Sequence, residues 1–114
     1  MIKARIYRKE KKICGFEISG HAGYAAGYAA AGEDIVCSAV TVLSFNTINA
    51  LEKFTEIPFK CEADEKRGGY LKLLIPVEGM TDHDTQLLLE TLVMGLSDIA
   101  LEYKKYLTLI NEEV

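Results

Sequence analysis

Two side chains in the first third of the chain are of the types that cleave acyl bonds together, His21 and Cys37. A cysteine attacks a carbonyl as its thiolate. An imidazole, with its ordinary pKa near neutrality, takes the thiol proton and later protonates the leaving amine. His21 follows a strand that ends at Ser19-Gly20, which lets its ring turn toward the start of the next helix. Asp34 reads as the N-cap of that helix, making Cys37 its third residue. There a thiol lies among unpaired amides and near the positive end of the helix dipole, both of which favour thiolate. Each assignment has a plainer alternative: His21 as an exposed loop histidine, Cys37 as a packed residue, Asp34 as a cap alone rather than a carboxylate that also orients His21. Gly20, Ser38 and Thr41 are candidates for substrate or oxyanion contact, with helix capping or packing as the alternative for the two hydroxyls. His83 adjoins a second helix start and is expected to be simply exposed.

The elements that must position these groups follow from hydrophobic periodicity. Ile2 to Lys9 alternates with period two, Lys9–Lys12 is a charged turn, and Ile13 to Ser19 alternates again with Cys14, Phe16 and Ile18 on one face. Cys14 is expected to be a small core residue of that hairpin. The segment from His21 to Glu33 holds two tandem GYAA copies, and Gly23, Tyr24, Gly27, Tyr28 and Gly32 mark it as a flexible loop, ordered conditionally. From Ile35 to about Phe54 a helix is predicted. Its Val36, Val40, Leu43, Ala50, Leu51 and Phe54 fall within about 60° of one line. Cys37 lies about 100° from that line, where a purely structural cysteine has less reason to be. The opposite side carries Val42, Phe45 and Asn49, so the helix is apolar nearly all round and is expected to be covered twice, by its own sheet and by another helix or subunit.

Ile57-Pro58 ends the helical segment. Phe59–Asp64 and Tyr70–Ile75 make a second hairpin around a turn at Glu65–Gly69, with Cys61 a packed or half-exposed thiol on its first strand. Pro76–Met80 is a connection. Thr81 with Asp84 resembles a capping box for a helix from about Asp82 to Tyr103. Gly95 inside that helix marks close packing against a neighbour, and Tyr106–Ile110 is a last short strand before an acidic tail. The order β-β-α-β-β-α-β predicts an α+β domain in two layers, two helices on a mostly antiparallel sheet, with residues 1–114 forming a single domain.

The bulk composition narrows the function classes. Apolar residues make up 49% and charged residues 26% of 114, the balance of a globular chain, and the net charge of −4 gives no basic surface for nucleic acid. The three cysteines are odd in number, widely spaced and without a CxxC pair, which argues against a disulfide scaffold and points to a reducing compartment. A zinc site from His21, Cys37, Cys14 and Cys61 would draw ligands from four elements with none of the usual local pairing, so no metal and no cofactor is expected. The charged N-terminus has no signal-peptide character and no apolar run reaches membrane length, so a cytoplasmic protein without membrane contact is expected.

Ser19-Gly20-His21-Ala22, a Gly-rich loop, and then Asp34-Ile35-Val36-Cys37-Ser38-Ala39-Val40-Thr41 resemble the ribosomal-processing cysteine protease family (Prp), and the likeness runs through Gly68-Gly69-Tyr70-Leu71 and Gly95-Leu96. The resemblance implies a cysteine endopeptidase that removes a short N-terminal extension from the large-subunit ribosomal protein number twenty-seven. It implies His21 as the catalytic histidine, Cys37 as nucleophile and Asp34 as the acidic residue three positions before it. It further implies a homodimer, with a loop between His and Cys that orders over substrate. Two departures stand out: Thr41 where the family often has Ser, and the long, alanine-rich loop. The rival reading is a non-enzymatic ribosome-assembly binding protein. A third, a thiol acyltransferase or other hydrolase, would share the reactive thiol and differ in substrate.

Overall fold

The computed structural model describes residues 1–20, 31–64 and 69–114, with side chains in the second stretch from Asp34 onward. Ile2–Lys9 (β1) and Lys12–Ser19 (β2) form an antiparallel hairpin whose two turn residues, Glu10 and Lys11, have φ of 51° and 74°. A two-residue hairpin turn with both centres left-handed matches the right-handed twist of the strands, although it usually recruits Asn and Gly. Between Tyr7 and Arg8 the register slips, so that Arg8 faces Ile13 and Tyr7 faces Gly15. Cys14 is the extra residue of this bulge. Because a bulge resets the alternation, Ile13, Phe16 and Ile18 are the buried residues of β2. Cys14 is half-buried on the other face of the sheet, beside Tyr7, Lys72 and Leu74. The expectation of Cys14 as a core residue is therefore corrected.

Helix α1 runs Ala31–Phe54, followed by strands Lys60–Asp64 (β3) and Tyr70–Leu74 (β4), a single turn Val77–Met80 (α2), helix His83–Glu102 (α3) and strand Leu107–Glu113 (β5). The five strands lie in the order β3-β4-β2-β1-β5; every neighbouring pair is antiparallel except β1 and β5. The expected α+β architecture is present, with two amendments. The connection after Pro76 contains the short α2, and β5 continues through residues expected to form a tail, paired to β1 as far as Glu113 opposite Arg8. The cap of α3 is Asp82 rather than Thr81: its carboxylate accepts from the Thr85 amide at 3.0 Å and from the Thr85 hydroxyl at 2.7 Å.

One face of the sheet is dry. Ile2, Ala4 and Ile6 of β1, Phe16 and Ile18 of β2, Leu71 and Leu73 of β4 and Leu107 of β5 are buried with Val36, Val40 and Leu51 of α1 and Leu89, Leu92 and Leu96 of α3. Each such side chain contributes roughly 1.5–3 kcal/mol of burial. Gly95 of α3 sits under Leu43 of α1, where an added Cβ would lie 3.1 Å from Leu43 Cδ1, so the glycine sets how closely the two helices approach. The other face is polar: Tyr7 and Tyr70 both donate to Glu17, and Arg5 pairs with Glu112. Asp34–Phe54 is long and apolar enough to cross a membrane by length and composition, yet its inner side chains belong to the core just described.

Candidate active site

Strand β2 delivers the chain to the residue before His21 along a constrained path. Gly20 has φ +86°, donates its N–H to the carbonyl of Gly69 at 2.8 Å, and passes so near the first residue that a Cβ would lie 2.7 Å from the Met1 carbonyl oxygen. Only glycine meets both demands without strain. Ser19 pairs with Lys3 and with Tyr70, so the site-ward end of β2 is held by strands on both sides. His21, Gly23, Tyr24, Gly27 and Tyr28 lie outside the described residues.

On α1 the sequence reading needs three corrections. The helix starts at Ala31, which puts Gly32 in helix rather than loop and Asp34 inside the helix rather than at its N-cap. Alanine at the helix start propagates it backward past the residue best suited to cap it. Cys37 is consequently the seventh helical residue, not the third. The amides without intrahelical acceptors lie before Asp34, and the Cys37 N–H falls within the i→i−4 ladder. Dipole and free amides fade within the first turn, so they act on the Cys37 thiol less than expected.

The buried face of α1 is also rotated. Val36, Cys37, Val40, Ser44, Thr47, Ile48 and Leu51 are buried, whereas Phe54 is 64% exposed. At about 100° per residue these buried positions span an arc of about 120° centred about 60° from the expected stripe. Cys37 is inside that arc and has no accessible surface. Ser38 points about 100° further round and is exposed, and Asp34 is half-buried. The Thr41 hydroxyl donates to the Cys37 carbonyl at 2.7 Å, as the hydroxyls of Thr47, Thr55 and Thr91 do one turn back along their own helices. This is the ordinary behaviour of a helical threonine, and it occupies the proton that would otherwise reach an oxyanion. Ser44, on the same buried face as Cys37, has a buried hydroxyl oxygen without a hydrogen-bond partner among the described residues.

The three cysteines carry thiols and lie in three different settings: Cys37 in the core, Cys14 in the β2 bulge, and Cys61 exposed on edge strand β3. Desolvation pushes the Cys14 thiol pKa up, and desolvation followed by the charge of Glu62 does the same to Cys61. Both are therefore poorer nucleophiles than an ordinary cysteine. Among the described residues no three His, Cys, Asp or Glu side chains cluster as metal ligands.

The family model for cysteine protease Prp matches residues 1–108. The chain belongs to that family. It is 33% identical over 107 residues to the ribosomal processing cysteine protease Prp of Bacillus subtilis, covering 91% of each chain. The crystal structure of SMU.848 from Streptococcus mutans superimposes with a TM-score of 0.90 at 32% identity, covering all of this chain and 96% of the other. The ribosomal processing protease Prp from S. aureus, solved with a covalently linked product peptide, superimposes with a TM-score of 0.82 at 26% identity, covering 98% and 100%. This chain is thus a cysteine-type peptidase of the Prp family, and the non-enzymatic alternative falls away.

Sequence reasoning gave no part to two buried polar residues, Ser44 on the face of α1 that carries Cys37 and Gln86 at the far end of β2. Ser44 was visible only as a hydroxyl on an apolar helix. Gln86 was visible as the one amide on the inner line Gln86, Leu89, Leu92, Leu96 of α3, a buried-polar signal. In the structure it clamps the bulged strand: its carbonyl accepts from the Ile13 amide at 2.9 Å, and its NH2 donates to the carbonyls of Ile13 and Gly79 at 2.8 and 3.1 Å.

Proposed function

We propose that this peptidase uses a Cys37–His21 dyad to remove the N-terminal extension of the large-subunit ribosomal protein number twenty-seven. The reading is supported by one observation above the rest: the family model spans both residues, and Cys37 is buried on the core side of α1. With Cys37 in the second helical turn, beyond the free amides of the helix start, deprotonation falls to His21. His21 takes the thiol proton as sulfur attacks the scissile carbonyl, then gives that proton to the leaving amine. Water, deprotonated by the same imidazole, releases the acyl group and restores the thiol. Asp34, no longer needed as a cap, is left with the role of orienting His21. Gly20 fixes the backbone from which His21 departs. Ser38, being exposed and turned about 100° from Cys37, reaches substrate only from the outer side of α1, and Thr41, whose hydroxyl is committed to the Cys37 carbonyl, does not hold the oxyanion.

The substrate is a peptide chain with a removable N-terminal segment; that the S. aureus relative was solved with a covalently linked product peptide supports a peptide substrate. The test is mass spectrometry of the extended ribosomal protein after incubation with this enzyme. A single new N-terminus is expected. Cys37→Ser abolishes it, and a His21 variant costs nearly as much because the two groups act as a unit. Wild-type cleavage by the Cys37→Ser variant would refute the mechanism, and an uncut precursor would refute the substrate.

A further inference from the structure

Three apolar side chains of α3 face solvent in one line. Leu87, Met94 and Leu101 are 56%, 62% and 66% exposed. They stand two helical turns apart, so they run along about 21 Å of the outer side of the helix. Asp98, also exposed, fills the step between Met94 and Leu101. The inner side of α3 is taken by the core, and Gly95 takes Leu43 of α1. Peptide cleavage as described above makes no use of the outer row.

The charges beside this row act against the helix that carries them. The helix holds Asp84, Glu90, Asp98 and Glu102 and has no Lys or Arg. Asp84 lies 3.1 Å from His83, and Arg8 grips both oxygens of Glu90 at 2.9 and 3.0 Å. Asp98 and Glu102 have no ion-pair partner among the described residues, although Lys104 and Lys105 follow the helix closely. The two carboxylates are four residues apart, where like charges repel. Glu102 is also the last helical residue, at the negative end of the dipole, where a cation is preferred. A cation supplied from outside relieves both costs.

We infer that the outer row of α3 holds a segment of the substrate protein rich in lysine or arginine. The inference rests on the substrate reading above and extends it to the part of the substrate that is not cut. A protein that sits on ribosomal RNA neutralises phosphates with lysine and arginine. Such side chains lay their methylene stems on apolar surface and carry the charge beyond it, which suits Leu87, Met94 and Leu101 with Asp98 and Glu102 alongside. The net charge of −4 attracts the same partner at longer range. The row is within reach of the thiol. Leu43, which touches Gly95, is six residues from Cys37, about 9 Å along α1. Packed helices lie about 8–10 Å apart, so roughly five residues of extended chain cover the path.

The experiment is fluorescence anisotropy in the Cys37→Ser background, where substrate is bound without being cut. The probes are the labelled extended ribosomal protein and a labelled short peptide that spans only the scissile bond. The short peptide does not reach α3 and is the reference for every shift. D98K/E102K and E56K/E62K each bring the chain from −4 to neutral, the second pair at exposed carboxylates outside α3. D98K/E102K is expected to raise the Kd of the extended protein about 10-fold or more, with the wild-type sedimentation coefficient. E56K/E62K is expected to raise it less than about threefold. Asp98 and Glu102 are exposed, so the circular dichroism should be that of the wild type; if it is not, D98N/E102Q replaces the pair, with a smaller shift in the same direction. No shift, an equal shift for both variants or for both probes, an altered sedimentation coefficient, or an extended protein that is not bound would each overturn the assignment. Cleavage by the unsubstituted enzyme reports separately. Cutting without a shift keeps the protease reading and removes this one, whereas a protein bound through Asp98 and Glu102 but left uncut does the reverse.

Discussion

Gly20→Ala tests the link between the backbone at the end of β2 and the chemistry expected of the next residue. Two costs are readable in the structure. At φ +86° an L-residue is in a conformation costing about 1–2 kcal/mol. The new Cβ would also lie 2.7 Å from the Met1 carbonyl oxygen, below any ordinary carbon–oxygen contact, and that oxygen belongs to backbone beside the paired strand residue Ile2. Relief requires the chain to move by several tenths of an ångström at Gly20 or Met1, stretching the 2.8 Å bond from the Gly20 amide to Gly69. A total of about 2–4 kcal/mol is expected, read as a lower urea midpoint at unchanged m-value. The same displacement carries directly to residue 21, and misplacing a catalytic group by about 1 Å can cost on the order of 100-fold in rate. The variant should therefore lose kcat under conditions where circular dichroism shows it fully folded. If Gly20→Ala unfolds at the wild-type urea concentration and cleaves at the wild-type rate, the constraint has no consequence and the reasoning fails.

Three further outcomes follow from the core and the open face. Gln86→Leu removes three hydrogen bonds and orphans the Ile13 amide with the carbonyls of Ile13 and Gly79; a loss of about 3–5 kcal/mol is expected, and a urea midpoint within error of wild type would show that the clamp is dispensable. Ser44→Ala deletes a buried hydroxyl without a hydrogen-bond partner among the described residues, so the protein should gain about 1 kcal/mol rather than lose it, visible as a higher melting temperature. Tyr7 is pushed up to about 12, first by burial and then by its hydrogen bond to Glu17. Its folded state holds the proton more tightly than the unfolded one, so the stability it contributes is intact below pH 10 and drains away as pH rises from 10 toward 12. The Tyr7→Phe variant should show a shallower loss in that window, and identical alkaline profiles would count against the assignment.

The architecture was legible because its strands alternate strictly and its turns are charged or glycine-bearing, so each of the five strands could be placed from the sequence. The errors cluster where one residue outweighs a pattern. Cys14 was assigned to the core because Cys14, Phe16 and Ile18 keep perfect period two; the bulge opposite Tyr7 breaks that period, and nothing in the spelling of β2 marks it. Asp34 was assigned as a cap on residue preference alone, whereas Ala31 starts the helix a turn earlier. Thr81 lost the cap of α3 to Asp82, whose carboxylate reaches both the amide and the hydroxyl of Thr85.

The rotation of α1 about its own axis was the least legible feature of the fold. Cys37 was singled out for lying off the apolar stripe of α1, yet it lies within the buried face. The stripe could not be located from the sequence because the helix is apolar on nearly every side, so hydrophobic periodicity fixes its pitch and leaves its rotation open. In the structure Leu43 packs against Gly95 of α3, and Val36, Val40 and Cys37 belong to the buried cluster that includes Phe16, Leu71 and Leu96. The same rotation that hides the thiol brings Ile35, Val42 and Phe45 to the outside. Filling the Gly95–Leu43 contact should disturb the burial of Cys37. Gly95→Leu, which forces Leu43 away, is expected to lower the melting temperature and the rate of peptide cleavage together, and a variant that kept both at their wild-type values would show that this contact does not hold Cys37 in place.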